Sequence, residues 1–146
     1  MKSDEPHMLP NAYLYRSRIK TRWHDNDVYG HVNNVVYYAF FDTVVNEFLI
    51  SEGGLDIHNG QCIGLVVESM CKYYQPLAFP GDIHACMRVG KLGNSSVRYE
   101  IALFADGQSE PAAEGHFVHV YVDRTTRRPM ALPLPMREAL ERVEGI

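Results

Sequence analysis

The chain has 146 residues, of which 46% are hydrophobic and 22% charged, and its formal net charge is −4. These values are typical of a soluble globular domain and argue against a largely disordered chain. The negative charge argues against a nucleic-acid-binding protein, which usually carries a basic stripe.

The chain begins with a polar segment and a predicted strand. Residues 1–12 are expected to be a flexible lead-in, and residues 13–146 are predicted to form one domain. Between residues 15 and 22, aromatic, aliphatic or hydroxyl side chains alternate with arginine or lysine. This alternation predicts a strand over residues 13–23 that turns its basic face to solvent.

A long helix is predicted after the polar segment 25–34. Its apolar residues recur at helical spacing, as Tyr37, Phe40, Phe41, Val44, Val45, Phe48 and Leu49. Such a stripe is typical of a helix that lies on a core. Asn33 or Asn34 can cap the start of this helix, and Gly53-Gly54 can end it.

The remaining chain predicts strands and a short final helix. Strand patterns occupy residues 62–74, 83–89, 97–103 and 116–122. Turns are predicted over residues 90–95 and at Asp106-Gly107, and a helix over residues 136–143. A strand, a long helix, several antiparallel strands and a short helix predict an α+β fold, in which one helix lies against a curled antiparallel sheet.

The cysteines and the first residues indicate the compartment. The three cysteines, Cys62, Cys71 and Cys86, form no C-x-x-C pair, so we expect reduced thiols and neither a disulfide nor a structural zinc site. Residues 1–6 carry no apolar signal core, and no apolar run approaches the roughly 20 residues that span a bilayer. We therefore expect a cytoplasmic protein that does not bind a membrane.

The clearest chemical signal lies in residues 27–34. Asp27 stands three residues before Gly30, at the entrance of the predicted helix. Aspartate is ordinarily ionised at neutral pH, and glycine allows a sharp turn and close approach of a ligand. A helix start also presents unpaired N–H groups, which can hold a developing oxyanion. This combination predicts an acyl-transfer site, although a cap or turn role for Asp27 fits the same pattern.

The same segment resembles the signature of the 4-hydroxybenzoyl-CoA thioesterase-like family through the run Arg22-x-x-Asp25-x-Asp27-x-x-Gly30-His31-Val32-Asn33-Asn34-x-x-Tyr37. Residues 66–76, Gly81-Asp82 and the tail 122–137 also resemble that family, so the likeness covers about residues 14–142. It implies the hotdog fold, a long central helix wrapped by an antiparallel sheet. It also implies hydrolysis of acyl-CoA thioesters to a free acid and CoA.

The resemblance implies roles for individual residues. Asp27 falls on the family's catalytic aspartate, as nucleophile or general base, and backbone N–H groups around Gly30 and His31 are expected to polarise the thioester carbonyl. No metal or redox cofactor is implied. Acyl-CoA, or an acyl-carrier protein, is the expected substrate. Substrate-binding residues are expected to be Asn33, Asn34, Tyr37 and Glu68.

Several of these residues also have structural interpretations. Asp25 should point away from Asp27 on an extended chain, which favours a structural role. For His31 we favour a structural or positioning role over acid–base catalysis, and Asn33 and Asn34 are expected mainly to cap the helix and tie the loop together. Tyr37, Tyr38 and Phe41 fit the acyl pocket and core packing equally well.

Assembly and CoA binding can also be predicted. An open sheet around one helix leaves an edge that needs cover, and the resemblance implies a homodimer or homotetramer with its sites at the dimer interface. The phosphates of CoA require a basic rim. Its candidates are Lys72, Arg88, Lys91, Arg98, Arg124, Arg127 and Arg128.

Two other functions fit the same fold. An enoyl-thioester hydratase of this fold uses an aspartate and a histidine with four residues between them, whereas three residues separate Asp27 from His31. A non-catalytic acyl-CoA-binding protein is the second alternative, since a fold does not fix a function. Such a protein would not need a carboxylate beside the thioester.

Overall fold

The structure, a computed structural model, describes residues 12–145. The predicted lead-in therefore lies outside the described residues, except for its last residue. The elements in chain order are β1 (Tyr15–Lys20), a short 3-10 helix (Trp23–Asp25), α1 (Asn34–Ser51), β2 (Cys62–Tyr73), β3 (Asp82–Leu92), β4 (Ser96–Ala105), β5 (Ala113–Asp123) and α2 (Leu134–Arg142).

The five strands form one sheet in the order β1-β3-β4-β5-β2. Every neighbouring pair is antiparallel, which confirms the predicted sheet. β1 and β2 are the outer strands of this order, so β2, a strand of 12 residues, has a strand neighbour on one side only in the sheet of residues 12–145. Within the described chain, no helix is long and apolar enough to cross a membrane.

Helix α1 crosses the face of the sheet from β1 to β5. The Phe48 ring meets Tyr15 of β1 with ring centroids 5.0 Å apart, and the Phe41 ring meets Phe117 of β5 at 5.7 Å. All seven residues of the predicted apolar stripe are buried, so the helix prediction is confirmed. Full burial of one such side chain contributes roughly 1.5–3 kcal/mol, so this face holds the helix to the sheet.

The first strand is shorter than the sequence predicts. It ends at Lys20, which pairs with Asp82 at the start of β3, and the predicted continuation to Trp23 is wrong. The reason is local, because the buried carboxylate of Asp25 accepts a hydrogen bond of 2.7 Å from the Arg22 N–H. This bond winds Trp23–Asp25 into a turn that leads away from the sheet.

The predicted turn over residues 90–95 is also too long. Strand β3 continues to Leu92, with a register shift between Val89 and Lys91. Gly90 sits at this bulge, and a Cβ there would lie 2.5 Å from the Glu100 carboxyl carbon. Glycine therefore marks a β-bulge with a close side-chain approach at this position, and the chain turns only after Leu92.

Helix α2 starts two residues before its predicted start and ends one residue before its predicted end. The chain after it continues beside β3, where the Val89 N–H donates to the Val143 carbonyl at 2.9 Å and the Gly145 N–H donates to the Val89 carbonyl at 2.8 Å. The Arg137 guanidinium donates to the Gly93 carbonyl at 2.6 Å. These contacts cover β3 beyond the end of its pairing with β1.

Candidate active site

The segment between the 3-10 helix and α1 folds into a small closed loop. Asn26 and Val32 form an antiparallel bridge, and the Asp27 N–H donates to the His31 carbonyl at 2.9 Å. The Gly30 N–H donates a hydrogen bond to the Asp27 carbonyl at 3.1 Å, and φ at Gly30 is +84°. Glycine suits this left-handed conformation, so the sequence places its turn residue where the loop requires it.

This loop is anchored to the connection between β2 and β3. The Val32 N–H donates to the Leu77 carbonyl at 2.7 Å, and the Phe79 N–H donates to Oδ1 of Asn26 at 3.0 Å. The Asn33 N–H donates to the Asp25 carbonyl at 2.9 Å. Two bonds to the β2–β3 connection and one between the two ends of the loop hold it in one position, which a site that must orient its groups requires.

The two aspartates of the loop have different environments. Asp25 is 1% exposed, and its carboxylate binds both the backbone N–H and the guanidinium of Arg22. Asp27 is half-buried, and its Oδ1 accepts a hydrogen bond of 2.9 Å from the Tyr29 N–H. Its Oδ2 has no hydrogen-bond partner among residues 12–145. The predicted structural role of Asp25 is confirmed, while Asp27 keeps an oxygen for another ligand.

Two N–H groups of this region have no partner in the described chain, that of His31 in the loop and that of Asn34 at the start of α1. The Gly30 N–H, one of the expected oxyanion donors, is used inside the turn. Asn33 caps the helix through its Oδ1, which accepts from the Val35 N–H at 3.1 Å. No acidic side chain lies in the first turn of the helix, so none there neutralises the partial positive charge.

Two clefts lie on either side of the Gly30–His31 peptide bond. The first is an open cleft of about 660 Å³, whose walls are Trp23, His24, Asn26, Asp27, Val28 and Gly30. The second is smaller, about 310 Å³, and its walls are His31, Val32, Asn34, Tyr37, Tyr73, Tyr74, Gln75 and Pro76. The structure thus brings Asp27 and Gly30 to one cleft and His31, Asn34 and Tyr37 to the other.

Tyrosine side chains shape the second cleft. Tyr37 and Tyr73 meet edge to face with ring centroids 4.9 Å apart. The Tyr73 hydroxyl donates to the Asn34 carbonyl at 3.2 Å, and the Tyr37 hydroxyl accepts from the Leu77 N–H at 3.3 Å. Burial raises the pKa of Tyr37 and raises that of Tyr73 to about 12, so both phenols stay neutral. They hold the helix start against β2 and the segment that follows it.

Glu68 lies apart from both clefts in its own chain. Its Oε2 is 2.7 Å from Nε2 of His116, a residue that is 8% exposed. The predicted substrate contact of Glu68 would be made in the site of a partner chain. The role of Glu68 in substrate binding therefore stays a prediction. Among the proposed CoA-binding residues, Arg88 and Arg98 pair with Glu100.

The sequence did not indicate two residues of these clefts, Trp23 and Tyr73. Both belong to predicted strands, in which an aromatic residue is an ordinary packing residue. Trp23 is 72% exposed in the cleft that holds Asp27, and Tyr73 is 44% exposed. Among residues 12–145, no group of three or more His, Cys, Asp or Glu side chains is arranged to hold a metal ion.

Comparison with known proteins identifies the family to which this chain is similar. A family model described as the thioesterase-like superfamily matches residues 21–140, which include the loop, α1 and strands β2 to β5. The PA5185 protein of Pseudomonas aeruginosa strain PAO1 is 57% identical over 96% of this chain and 98% of that chain, with a TM-score of 0.94. The PA2801 protein of Pseudomonas aeruginosa, a candidate thioesterase, is 28% identical over 87% of this chain and 98% of that chain, with a TM-score of 0.82.

A more distant structure shares the architecture. Slr0204 from Synechocystis, a 1,4-dihydroxy-2-naphthoyl-CoA thioesterase, is 15% identical over 86% of this chain and 94% of that chain, with a TM-score of 0.79. At this identity the likeness concerns the fold alone. The predicted hotdog fold, a long helix wrapped by a curled antiparallel sheet, is confirmed.

Proposed function

The chain belongs to the thioesterase-like superfamily, and on that premise we propose that it hydrolyses an acyl-CoA thioester to a free acid and CoA. The observation that carries this proposal is the half-buried carboxylate of Asp27 in a cleft beside the start of α1. The N–H groups of His31, in the loop before the helix, and of Asn34, at the helix start, have no partner within residues 12–145. A carboxylate and N–H donors that can hold an oxyanion are the two parts that acyl transfer to water requires.

In the proposed reaction, the thioester carbonyl oxygen accepts hydrogen bonds from the N–H groups of His31 and Asn34. One donor of this kind lowers the barrier by about 3 kcal/mol when it meets the developing oxyanion. The Asp27 carboxylate then attacks the carbonyl carbon and expels the CoA thiolate, and water hydrolyses the resulting anhydride. Alternatively, Asp27 removes a proton from a water molecule that attacks the same carbon.

The other residues of the loop and helix start support these two parts. Asn33 caps the helix and Gly30 closes the turn, so both fix the position of the Asp27 carboxylate relative to the N–H donors. Asn34 and Tyr37 line the second cleft, which we assign to the pantetheine arm of CoA or of an acyl-carrier protein. Backbone and aromatic groups suit an uncharged arm of this kind.

We also propose that the working unit is a homodimer formed along β2. This edge strand exposes Leu65 to 40%, Val66 to 49% and Val67 to 61%, and its outer backbone groups pair with no other strand in the described sheet. A long edge with apolar side chains is a template for pairing with another strand. Pairing with a second copy would bring Glu68 to the partner subunit, where its predicted substrate contact could form.

The family match and the likeness to the PA2801 protein, a candidate thioesterase, support this reaction class. The test is thiol release from acetyl-, heptanoyl-, benzoyl- and palmitoyl-CoA, with chromatographic identification of the acyl product. Free acid and free thiol in equal amounts are the expected result. A hydrated thioester would indicate the hydratase alternative, and tight binding with no turnover would indicate an acyl-CoA-binding protein.

A further inference from the structure

Trp23 is the single tryptophan of the chain, and its side chain is 72% exposed beside Asp27. Val28, on the other side of the aspartate in sequence, is 94% exposed and lines the same cleft. Large apolar side chains are costly to leave in water, and a cluster of them beside polar groups marks a binding surface. In this cleft the apolar surface lies directly beside the proposed reacting carboxylate.

The indole of Trp23 is held in place from one side. Its ring meets the Phe79 ring edge to face, with centroids 6.0 Å apart and an angle of 80° between the planes. Phe79 is in turn fixed by the hydrogen bond from its N–H to Asn26, a residue of the active-site loop. An aromatic ring that is positioned by its neighbours and still largely uncovered is pre-organised to contact a ligand.

The cleft suits the acyl part of the substrate better than the nucleotide part of CoA. Among residues 12–145, no lysine or arginine lines it, and its walls include the carboxylate of Asp27. The phosphates of CoA would meet that negative charge, with no lysine or arginine of the described chain in the walls to balance them. An uncharged acyl group, by contrast, would cover Trp23 and Val28 while its carbonyl carbon lies beside Asp27.

We propose that Trp23 is a specificity-determining residue, whose indole contacts the acyl group and favours acyl groups that end in a planar ring over straight chains of equal carbon number. The proposal rests on the proposed function, since Asp27 defines where the acyl group begins. Aromatic rings in contact gain attraction beyond the area that they bury, which a straight chain does not.

The contact can be measured without turnover, because the fluorescence of the protein comes from one tryptophan. The Asp27→Asn variant is titrated with benzoyl-CoA, heptanoyl-CoA and CoA alone, and the tryptophan emission is followed. We expect benzoyl-CoA to change the emission at concentrations about tenfold below those of heptanoyl-CoA, and CoA alone to leave it unchanged. An equal change with CoA alone would assign Trp23 to the nucleotide, and no change with benzoyl-CoA would also overturn the proposal.

Kinetics test the selectivity. Trp23→Ala should lower kcat/KM for benzoyl-CoA about tenfold and for heptanoyl-CoA less than about threefold, and Trp23→Phe should keep most of the preference. The control is Leu134→Ala, which removes another exposed apolar side chain, 66% exposed on α2 and outside both clefts. Equal losses for both substrates would contradict the selectivity. Absence of thiol release in the wild type would refute the reaction, whereas the emission titration reports on the Trp23 contact in either case.

Discussion

The carboxylate of Asp25 binds the Arg22 backbone N–H at 2.7 Å and the Arg22 guanidinium at 3.0 Å, and this pair turns the chain out of the first strand. The Asp25 side chain is almost completely buried, and its backbone carbonyl receives the Asn33 N–H. One aspartate therefore links the end of β1 to the cap of α1. This arrangement positions the loop on which Asp27 stands.

Asp25→Asn should destabilise the protein. The substitution removes the charge that receives both hydrogen bonds from Arg22, and a hydrogen bond to a charged group contributes about 1.5–3 kcal/mol. Because the Arg22 side chain is 71% exposed, we expect a loss of about 2 kcal/mol rather than the larger value of a fully buried pair. Urea unfolding measures it, and a loss no greater than that of Asp27→Asn would contradict the role of Asp25.

A charge on the edge of β2 should separate the proposed dimer. Val67 is 61% exposed on this strand, and lysine on an edge strand opposes pairing with another strand. In size-exclusion chromatography with light scattering, Val67→Lys should elute with the mass of a single chain. It should also lose most of its thiol-releasing activity. Ile57→Lys is the matched control, since Ile57 is 51% exposed in the loop after α1. A dimer that survives Val67→Lys would place the interface elsewhere.

Stability should fall on mild acidification because of His119. Burial beside Tyr99, Phe117 and Tyr121 lowers the pKa of His119 from 6.5 to about 4. Between these two values the unfolded chain takes up a proton that the folded chain does not, so the full stability is present above pH 6.5 and is lost towards pH 4. The free energy of unfolding should drop by about 2 kcal/mol from pH 7 to pH 5.

The variants that check this pH dependence are His119→Phe and His58→Gln. Phenylalanine keeps the ring packing of the buried site and cannot titrate, so His119→Phe should remove most of the drop. His58 is exposed, and His58→Gln should keep the drop. Urea unfolding at both pH values measures each variant, and an unchanged drop in His119→Phe would assign the effect to another group.

The contact of α1 with β5 depends on Gly115. A Cβ at this position would lie 2.7 Å from Cε2 of Phe41 and would also clash with the Met70 carbonyl oxygen. Gly115→Ala should therefore cost at least about 2 kcal/mol, because both neighbours are fixed in the core or the sheet. Gly81→Ala is the control, since its nearest neighbour, the Ala78 carbonyl oxygen, would be 3.4 Å away. Similar stabilities of the two variants in urea would contradict this packing.

The parts of the fold that depend on periodicity are predictable from the sequence. The apolar stripe of α1 repeats at helical spacing over more than three turns, and the alternation in β1 identifies its buried face. Asp27 and Gly30 could be found because the turn needs a glycine at one fixed distance from the aspartate. The resemblance to a known family then assigns a role to that aspartate.

Other features depend on single contacts that leave no repeating pattern. The end of β1 is set by one hydrogen bond between Asp25 and Arg22, and Gly90 serves a bulge opposite Glu100, although it has the sequence pattern of a turn. The exposure of Trp23 follows from that early end of β1, because a tryptophan in a continuing strand would be expected to pack. Tertiary contacts decide these points, so the sequence alone could not.

The central claim is that Asp27 carries out the chemistry, and it is tested most directly by comparing kcat/KM for thiol release between wild type and Asp27→Asn. Asparagine keeps the acceptor that binds the Tyr29 N–H, so the loop should retain its fold and its stability in urea. The account predicts a loss of at least about a hundredfold in kcat/KM, because amide oxygen is neither a nucleophile nor a base of useful strength. An unchanged rate in a folded Asp27→Asn variant would contradict the account.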